Sequence, residues 1–211
     1  MNYTKIDIEK WSRGKLFRSY IDVTHSVISM SADINVAPLV SFSRENGYNF
    51  YPSMLWIISK AVNAHDEFKY SWSSDGELIK WNSISPSYAD FYADESFTKF
   101  VTEYSDDLSE FHKRFILNRE KYKYVRGIVK GQPKNIFDVS CIPWTRYRNL
   151  DLHAFDEENF LAPIVTWGDF GEDSNGIRMP LTMNIHHAVC DRVHISRFFN
   201  EVQAFIYGFL E

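Results

Sequence analysis

Residues 178–197 constrain the fold of this chain more than any other stretch, because the spacing of apolar residues changes within them. Up to His186, apolar and polar residues alternate, and a period of two is typical of a β-strand with one buried face. After Asp191, apolar residues recur at helical spacing, which predicts a C-terminal amphipathic helix. The alternating positions are Ile177, Met179, Leu181, Met183 and Ile185; the helical ones are Ile195, Phe198, Phe199, Val202, Phe205, Ile206 and Phe209.

The short turn between this strand and this helix carries a candidate for proton transfer. If the alternation continues, the side chain of His187 points to the core side, whereas His186 points away from it and has a structural role. A desolvated imidazole stays neutral, and a general base must be neutral. Asp191 stands at the N-cap position of the helix. His187 is therefore the candidate base, and the alternative is a structural histidine with satisfied hydrogen bonds.

The rest of the chain shows no repeat, low-complexity tract or linker. Its patterns predict strands at 27–35, 68–72, 78–81, 88–92, 136–142 and 160–167. They predict helices at 37–45, 52–65 and 105–122, the last with Ser105 as its cap. A chain of 211 residues can bury a sizeable core as one domain. We therefore predict a single α+β domain over residues 1–211, in which strands outnumber helices.

Composition and charge argue against several classes of protein. The formal net charge is −5 and no basic run is present, so we expect no nucleic-acid partner. No apolar stretch is long enough to cross a bilayer and no apolar signal segment begins the chain, so we expect no membrane partner and a cytoplasmic location. The two cysteines, Cys141 and Cys190, cannot form a disulfide framework. His187, Cys190 and His194 lack the spacing of a zinc site, so we expect no metal.

Five segments resemble, in order, landmarks of the chloramphenicol acetyltransferase family, which is related to the catalytic domains of dihydrolipoamide acyltransferases. They are residues 1–13, 50–54, 139–144, 162–166 and the sequence His186-His187-x-x-x-Asp191. The last motif alone is a weak signal, but five ordered landmarks cover essentially the whole chain. The resemblance implies the fold of CoA-dependent acyltransferases, with a mixed β-sheet covered by helices in two layers.

The resemblance also implies an activity: transfer of an acetyl group from acetyl-CoA to a hydroxyl of chloramphenicol, which would inactivate this antibiotic. His187 would take the hydroxyl proton, and Ser140 would donate to the tetrahedral oxyanion. Thr166 would support this intermediate through an ordered water. Asp191 would pair with Arg13 and so fix the turn that aims the imidazole. Acetyl-CoA would be a co-substrate, and the active sites would lie at the subunit interfaces of a homotrimer.

An apolar pocket for the acceptor follows from the same resemblance, and core packing is the alternative for each candidate. The candidates are Tyr20, Ile28, Phe97, Leu150 and Leu152. The chain departs from the family at Arg192, where a glycine is usual, and at Asp169, where a basic residue could meet the coenzyme. An arginine in the first turn of a helix opposes the helix dipole. Two alternatives therefore stay open: an O-acetyltransferase of the same fold for another acceptor, and a catalytically impaired homologue that only binds a ligand.

Overall fold

A computed structural model describes residues 2–152, 160–174 and 176–210 of the chain. Its strands are β1 (Tyr3–Lys5), β2 (Val27–Asn35), β3 (Tyr70–Trp72), β4 (Leu78–Trp81), β5 (Ser85–Phe91), β6 (Phe97–Val101), β7 (Gly127–Ile128), β8 (Ile136–Ile142), β9 (Ile164–Gly168), β10 (Gly171–Asp173) and β11 (Gly176–His186). Its α-helices are α1 (Gly14–Arg18), α2 (Ala37–Asn46), α3 (Phe50–Asn63), α4 (Leu108–Tyr122) and α5 (Arg192–Tyr207). A π-helical segment, Ser19–Thr24, continues α1.

The strands form one large mixed sheet and one small sheet. The large sheet runs in the order β10-β11-β9-β8-β5-β6-β7, and β2 also pairs with β11. β5, β8 and β9 are parallel, whereas β11 is antiparallel to both β2 and β9. The helices α2, α3 and α5 pack on one face of this sheet, and α4 packs beside α3. This confirms the predicted mixed sheet covered by helices.

The hydrophobic core lies between the large sheet and the helices. It contains most of the apolar positions that the two periodicities in residues 177–209 singled out, and the others, Ile177, Phe205 and Phe209, are partly buried against it. Met179, Leu181, Met183, Ile185, Ile195, Phe198, Val202 and Ile206 are all at most 2% exposed. Burying one such side chain contributes roughly 1.5–3 kcal/mol, so the C-terminal strand and helix are central to stability. Within the described residues, no helix is both long and apolar enough to span a lipid bilayer.

The strand β11 is present as predicted, but the prediction that only one of its faces is buried is wrong. Its polar residues Thr182 and Asn184 are 0% and 1% exposed. They are covered because residues 145–152 cross that face, where the Leu152 N–H donates to the Asn184 side-chain oxygen at 3.3 Å. A period of two reports that side chains alternate between faces, and it does not report what covers each face.

Several other helices and strands begin at residues different from those predicted. Ser105 does not cap α4; Asp107 does, and its carboxylate accepts from the Glu110 N–H at 2.7 Å. A carboxylate at this position also interacts favourably with the helix dipole. α3 begins two residues before Pro52, which lies in the first turn, where its missing N–H costs nothing. β5 begins earlier than predicted and β9 later.

Candidate active site

The turn between β11 and α5 spans residues 187–191 and is held at both ends. At its start, the His187 N–H donates to the carbonyl of Ser26 at 2.8 Å, which ties the turn to the beginning of β2. At its end, the Asp191 N–H donates to Nδ1 of His194 at 3.0 Å, and these two residues form a capping box for α5. Hydrogen bonds at both ends therefore fix the conformation of the predicted turn between the strand and the helix.

The imidazole of His187 is oriented by a hydrogen bond and by an aromatic neighbour. Its Nδ1 lies 2.9 Å from the carbonyl oxygen of Cys190. A carbonyl can only accept, so Nδ1 carries the proton and the lone pair of the neutral ring is on Nε2. The ring stacks on Tyr20 with centroids 4.1 Å apart, and the side chain is 13% exposed. A partly desolvated imidazole with an available Nε2 is the arrangement of a general base.

Arg13 fastens the turn to the N-terminal segment through five hydrogen bonds. Its Nε donates to the Ala188 carbonyl at 2.6 Å, and its Nη2 donates to the carbonyls of His187 and Cys190 at 2.8 and 3.2 Å. Nη1 and Nη2 donate to the two carboxylate oxygens of Asp191 at 2.5 and 2.9 Å. One guanidinium thus donates to three carbonyls of the turn that accept no hydrogen bond within a helix or a strand. The Arg13 side chain is only 15% exposed.

Asp191 acts on the turn and not on the proton of His187. Its hydrogen bonds with Arg13 hold the pKa of the Asp191 carboxyl below its ordinary value of 3.8, so the carboxylate is charged near neutral pH. Its Oδ1 lies 3.4 Å from Nδ1 of His187, farther than the Cys190 carbonyl at 2.9 Å. The carbonyl therefore sets the tautomer, and Asp191 is a positioning residue.

Cys190 and His194 have structural roles that leave neither of them free for metal binding. Cys190 is fully buried, and burial raises the pKa of its thiol to about 12. A metal ligand or nucleophile requires the thiolate. His194 uses Nδ1 in the capping box, and its Nε2 lies 3.3 Å from Glu67. Among the described residues, no three of His, Cys, Asp and Glu are grouped so that they could hold a metal ion.

The other predicted catalytic residues lie on the outer face of the large sheet, the face opposite to the helices. Ser140 on β8, Thr166 on β9, Thr182 on β11 and Ser31 on β2 are direct neighbours in register and form a row of hydroxyls across four strands. Ser140 is exposed. Thr166 is 1% exposed, and its hydroxyl has no hydrogen-bond partner among the described residues. A buried hydroxyl in this state favours a bound water or ligand.

His187 and Ser140 do not meet within one chain. His187 follows Thr182 by five residues, about 17 Å along the strand, and Ser140 lies two strands from Thr182, about 10 Å across the sheet. The two backbones are therefore roughly 19 Å apart. A base and an oxyanion donor must both lie about 3 Å from atoms of one reacting centre. The structure thus places the two candidate catalytic groups in two different half-sites.

The candidates for the acceptor pocket also fall in separate places. Tyr20 lies against His187, and the Leu150 carbonyl accepts from Ser29 on the outer face at 2.9 Å. Phe97 is 38% exposed on the same face of β6, whereas Ile28 is 5% exposed and belongs to the core. Leu152 borders a recess beside β11 whose volume is about 10 Å³. Such a recess hardly holds one water, so among the described residues it offers no room for a substrate next to Leu152.

A cavity of about 520 Å³ lies at the carboxyl ends of β5 and β8 and was not predicted. Its wall includes the aromatic residues Phe50, Tyr51, Phe91, Phe115 and Trp144, and it also carries the ion pair of Arg119 with Asp90. We call it the aromatic cavity. Trp144 is 69% exposed and meets Phe91 edge to face at 5.6 Å. The Tyr51 hydroxyl is buried without a hydrogen-bond partner in the described chain. The one available signal was that Pro143-Trp144 closely follows Ser140, because the other aromatic residues are scattered along the sequence.

The chain is similar to known proteins over nearly its whole length. The family described as chloramphenicol acetyltransferase matches residues 1–203. The chloramphenicol acetyltransferase of Clostridium perfringens is 35% identical over 96% of this chain and 94% of its own length, and that of Staphylococcus aureus is 32% identical over 96% and 95%. The chain belongs to the chloramphenicol acetyltransferase family. A solved structure named chloramphenicol acetyltransferase has the same fold, with a TM-score of 0.81 at 20% identity and 97% coverage of both chains.

Related folds occur outside the chloramphenicol acetyltransferase family. A structure described as a probable dihydrolipoamide acetyltransferase from Listeria monocytogenes has a TM-score of 0.67 at 14% identity, over 94% of this chain and 93% of that one. At this identity the likeness concerns the fold alone. It agrees with the predicted fold of CoA-dependent acyltransferases.

Arg192 and Asp169 are the departures from the chloramphenicol acetyltransferase family that the sequence revealed. Arg192 is the first residue of α5, and its side chain is exposed. The turn has its hydrogen bonds with arginine at this position, where the resemblance implies a glycine. Asp169 is exposed too, and its N–H donates to the Thr145 carbonyl at 3.1 Å. Neither departure disturbs the geometry of His187.

Proposed function

We propose that the chain transfers the acetyl group of acetyl-CoA to a hydroxyl of chloramphenicol and so inactivates the antibiotic. The observation that carries this proposal is the hydrogen bond from Nδ1 of His187 to the Cys190 carbonyl, because it leaves Nε2 as a base. The acceptor is the one in the names of the relatives at 31–35% identity. The free cysteines Cys141 and Cys190 support a cytoplasmic location.

In the proposed reaction, His187 and Ser140 both act while the acceptor hydroxyl attacks the thioester. Nε2 of His187 takes the proton from the acceptor hydroxyl while the hydroxyl oxygen attacks the thioester carbonyl. The hydroxyl of Ser140 donates to the oxyanion that forms, and a water on the unpaired hydroxyl of Thr166 gives further support. The intermediate then collapses, the C–S bond breaks, and the CoA thiolate receives the proton that His187 holds. No acyl-enzyme is required, because both substrates and the base meet in one ternary complex.

The separation of His187 and Ser140 supports an active site shared between two chains. If His187 of one subunit faces Ser140 of the next, every interface of a closed ring contains one complete site. Such head-to-tail contacts close into a ring when the rotation between subunits allows it. We propose a homotrimer with three such interfacial sites.

The aromatic cavity is our candidate for the binding site of the acetyl-CoA arm. Its volume falls within the range of small-molecule sites. It lies at the carboxyl ends of parallel strands, where open sheets bind their ligands. Its edge residue Trp144 follows Ser140 by four residues, so a thioester bound there is close to the oxyanion donor.

Replacing Trp144 with alanine is expected to raise the KM for acetyl-CoA about tenfold, because loss of an aromatic stacking surface removes on the order of 1 kcal/mol or more of binding. The KM for the acceptor should change less. Steady-state kinetics with each substrate varied in turn measures both constants. The matched control is Tyr124→Ala, since Tyr124 is 86% exposed and remote from the cavity. If the Trp144 variant and wild type have the same KM for acetyl-CoA, the coenzyme does not bind in this cavity.

Replacing Ser140 with alanine is expected to lower kcat by about 10²–10³, which is the usual loss when one oxyanion donor is removed. The substrate KM values should remain close to those of wild type. If the active site is shared between two chains, mixed oligomers provide a second and more specific test. Oligomers assembled from Ser140→Ala chains and His187→Ala chains should regain activity, because about a quarter of randomly formed interfaces then combine two intact halves. Mixed oligomers no more active than the two parents would show that the site is not shared.

The activity itself is tested by CoA thiol release, followed spectrophotometrically with and without chloramphenicol. Release that depends on chloramphenicol supports the proposal. Release only with other hydroxyl compounds would identify an O-acetyltransferase for a different acceptor. Binding of acetyl-CoA without turnover of any acceptor would identify a catalytically impaired homologue, although the exposed Arg192 leaves the catalytic turn intact.

A further inference from the structure

One peptide group of the turn connects the imidazole of His187 to a second imidazole. The Cys190 carbonyl accepts from Nδ1 of His187 at 2.9 Å, and the Asp191 N–H donates to Nδ1 of His194 at 3.0 Å. This carbonyl and this N–H belong to the same planar peptide, and they point in opposite directions because the peptide bond is trans. A contact that fixes the N–H therefore also fixes the carbonyl that orients His187.

The two histidines carry their ring protons on opposite nitrogens. Nδ1 of His187 faces a carbonyl and is a donor, whereas Nδ1 of His194 faces an N–H and is an acceptor. A neutral imidazole has one ring proton, so the proton of His194 is on Nε2. Oε1 of Glu67 lies 3.3 Å from this nitrogen, and a carboxylate there favours the tautomer with the proton on Nε2.

Glu67 is held close to α5 by the segment that carries it. It lies in a 3₁₀ turn, Asp66–Phe68. The ring of Phe68 is fully buried and meets the ring of Phe198 on α5 edge to face at 5.9 Å. Phe198 follows His194 by four residues, so both side chains lie on the same face of the helix. Core packing therefore directs the Glu67 carboxylate to His194.

A second pair of histidine and glutamate joins the same segment to α5. Nε2 of His65 lies 2.8 Å from Oε2 of Glu201, and these side chains are 15% and 30% exposed. The side chains of His194 and Glu67 are 17% and 27% exposed, so the two pairs match in residue type and burial. Glu201 follows His194 by seven residues, about 10 Å along the helix, which places the second pair away from the turn.

We propose that Glu67 and His194 are positioning residues for the base His187. Together they hold the peptide between Cys190 and Asp191 in the plane in which its carbonyl accepts from His187. The proposal rests on the function proposed above, in which His187 is the base. No proton moves along this series of contacts, because both rings and the peptide keep their own protons. Hydrogen bonds in series polarise one another, so the Glu67 charge also strengthens the hydrogen bond that orients His187.

The test compares two substitutions of His194 in the full-length protein. Leucine cannot accept from the Asp191 N–H, so His194→Leu should lower kcat roughly 10- to 100-fold, as when a catalytic group is displaced by about 1 Å. Both substrate KM values should stay near wild type. Glutamine is a usual residue at this position of a capping box, and its side-chain oxygen can accept the same N–H. His194→Gln should therefore restore most of kcat.

The other pair supplies the matched control. Glu67→Leu should lower kcat in the same direction as His194→Leu, whereas His65→Leu breaks the pair remote from the turn and should leave kcat near wild type. Thermal unfolding measures the stability of each variant. If His194→Leu is unfolded, Glu67→Leu, which leaves the capping box of α5 in place, is compared with His65→Leu instead.

A measurement without turnover tests the peptide link directly. Long-range nitrogen–proton NMR spectra of protein with isotope-labelled histidine report which ring nitrogen carries the proton. In wild type, His187 should be protonated on Nδ1 and His194 on Nε2. In His194→Leu, or in Glu67→Leu if that variant replaces it, His187 should become a mixture of both tautomers, whereas His65→Leu should leave it unchanged.

Three results would overturn the inference while leaving the proposed function in place: wild-type kcat in the leucine variants of His194 and Glu67, an equal loss in His65→Leu, or a tautomer of His187 that these variants do not alter. If wild type turns over no acceptor, the proposed function is wrong. The NMR spectra then decide alone whether the peptide links the two imidazoles.

Discussion

Replacing His187 with alanine is expected to abolish acetyl transfer while the chain keeps its fold. The expected fall in kcat is about 10⁴-fold, at the upper end of what a general base contributes, because no other described group presents a free imidazole nitrogen at this turn. The side chain is partly buried but lies outside the hydrophobic core, so the variant should unfold at nearly the same urea concentration as wild type. CoA thiol release and urea unfolding measure the two effects.

Two further variants separate proton transfer from positioning. His187→Gln keeps a side-chain amide that can donate to the Cys190 carbonyl but has no base, so it should lose as much activity as the alanine variant. His25→Asn is the matched control, because His25 is an exposed histidine whose positive φ of 46° asparagine also tolerates. Activity of His187→Ala within tenfold of wild type would contradict the role of His187 as the base.

Replacing Arg13 with alanine should lower both stability and activity. The change removes five hydrogen bonds at once: two to the Asp191 carboxylate and three to the backbone carbonyls of His187, Ala188 and Cys190. Breaking a buried ion pair costs about 3–5 kcal/mol, and because Asp191 is 35% exposed we expect a loss of about 3 kcal/mol in the free energy of unfolding. kcat should fall as well, since the turn no longer aims the imidazole. Urea unfolding and steady-state kinetics measure these effects.

Arg18, the last residue of helix α1, supplies the control for Arg13, which immediately precedes this helix. Arg18 pairs with Glu9 at the surface, so Arg18→Ala should leave the free energy of unfolding almost unchanged. Arg13→Lys keeps the charge but not the planar fork, so it should fall between wild type and alanine. Equal stability of the Arg13→Ala and Arg18→Ala variants would show that the guanidinium does not hold the turn.

The Arg13–Asp191 pair also predicts a pH dependence of stability. Because the pKa of Asp191 is lowered in the folded chain, its contribution is complete above its ordinary value of 3.8 and is lost as the pH falls through the lower folded value. The Arg13→Ala variant should lack this acid-dependent loss.

Local chemistry explains which parts of the site could be predicted. The change from a period of two to helical spacing located the corner at His187, since both periods depend on neighbouring residues alone. The pairing of Arg13 with Asp191, 178 residues apart, followed from resemblance and not from any local pattern. Ser105 and Asp107 are both residue types that suit a helix N-cap, so the sequence does not distinguish them, and only the packed helix shows that Asp107 is the cap.

The sequence by itself determined the alternation of β11, the amphipathic face of α5 and the histidine between them, because side-chain direction along a strand or helix follows from covalent geometry. Only the tertiary structure decided that residues 145–152 cover the polar face of β11 and that His187 and Ser140 lie roughly 19 Å apart. These facts depend on strand order and register, which bring together residues far apart in the chain and which no local period specifies.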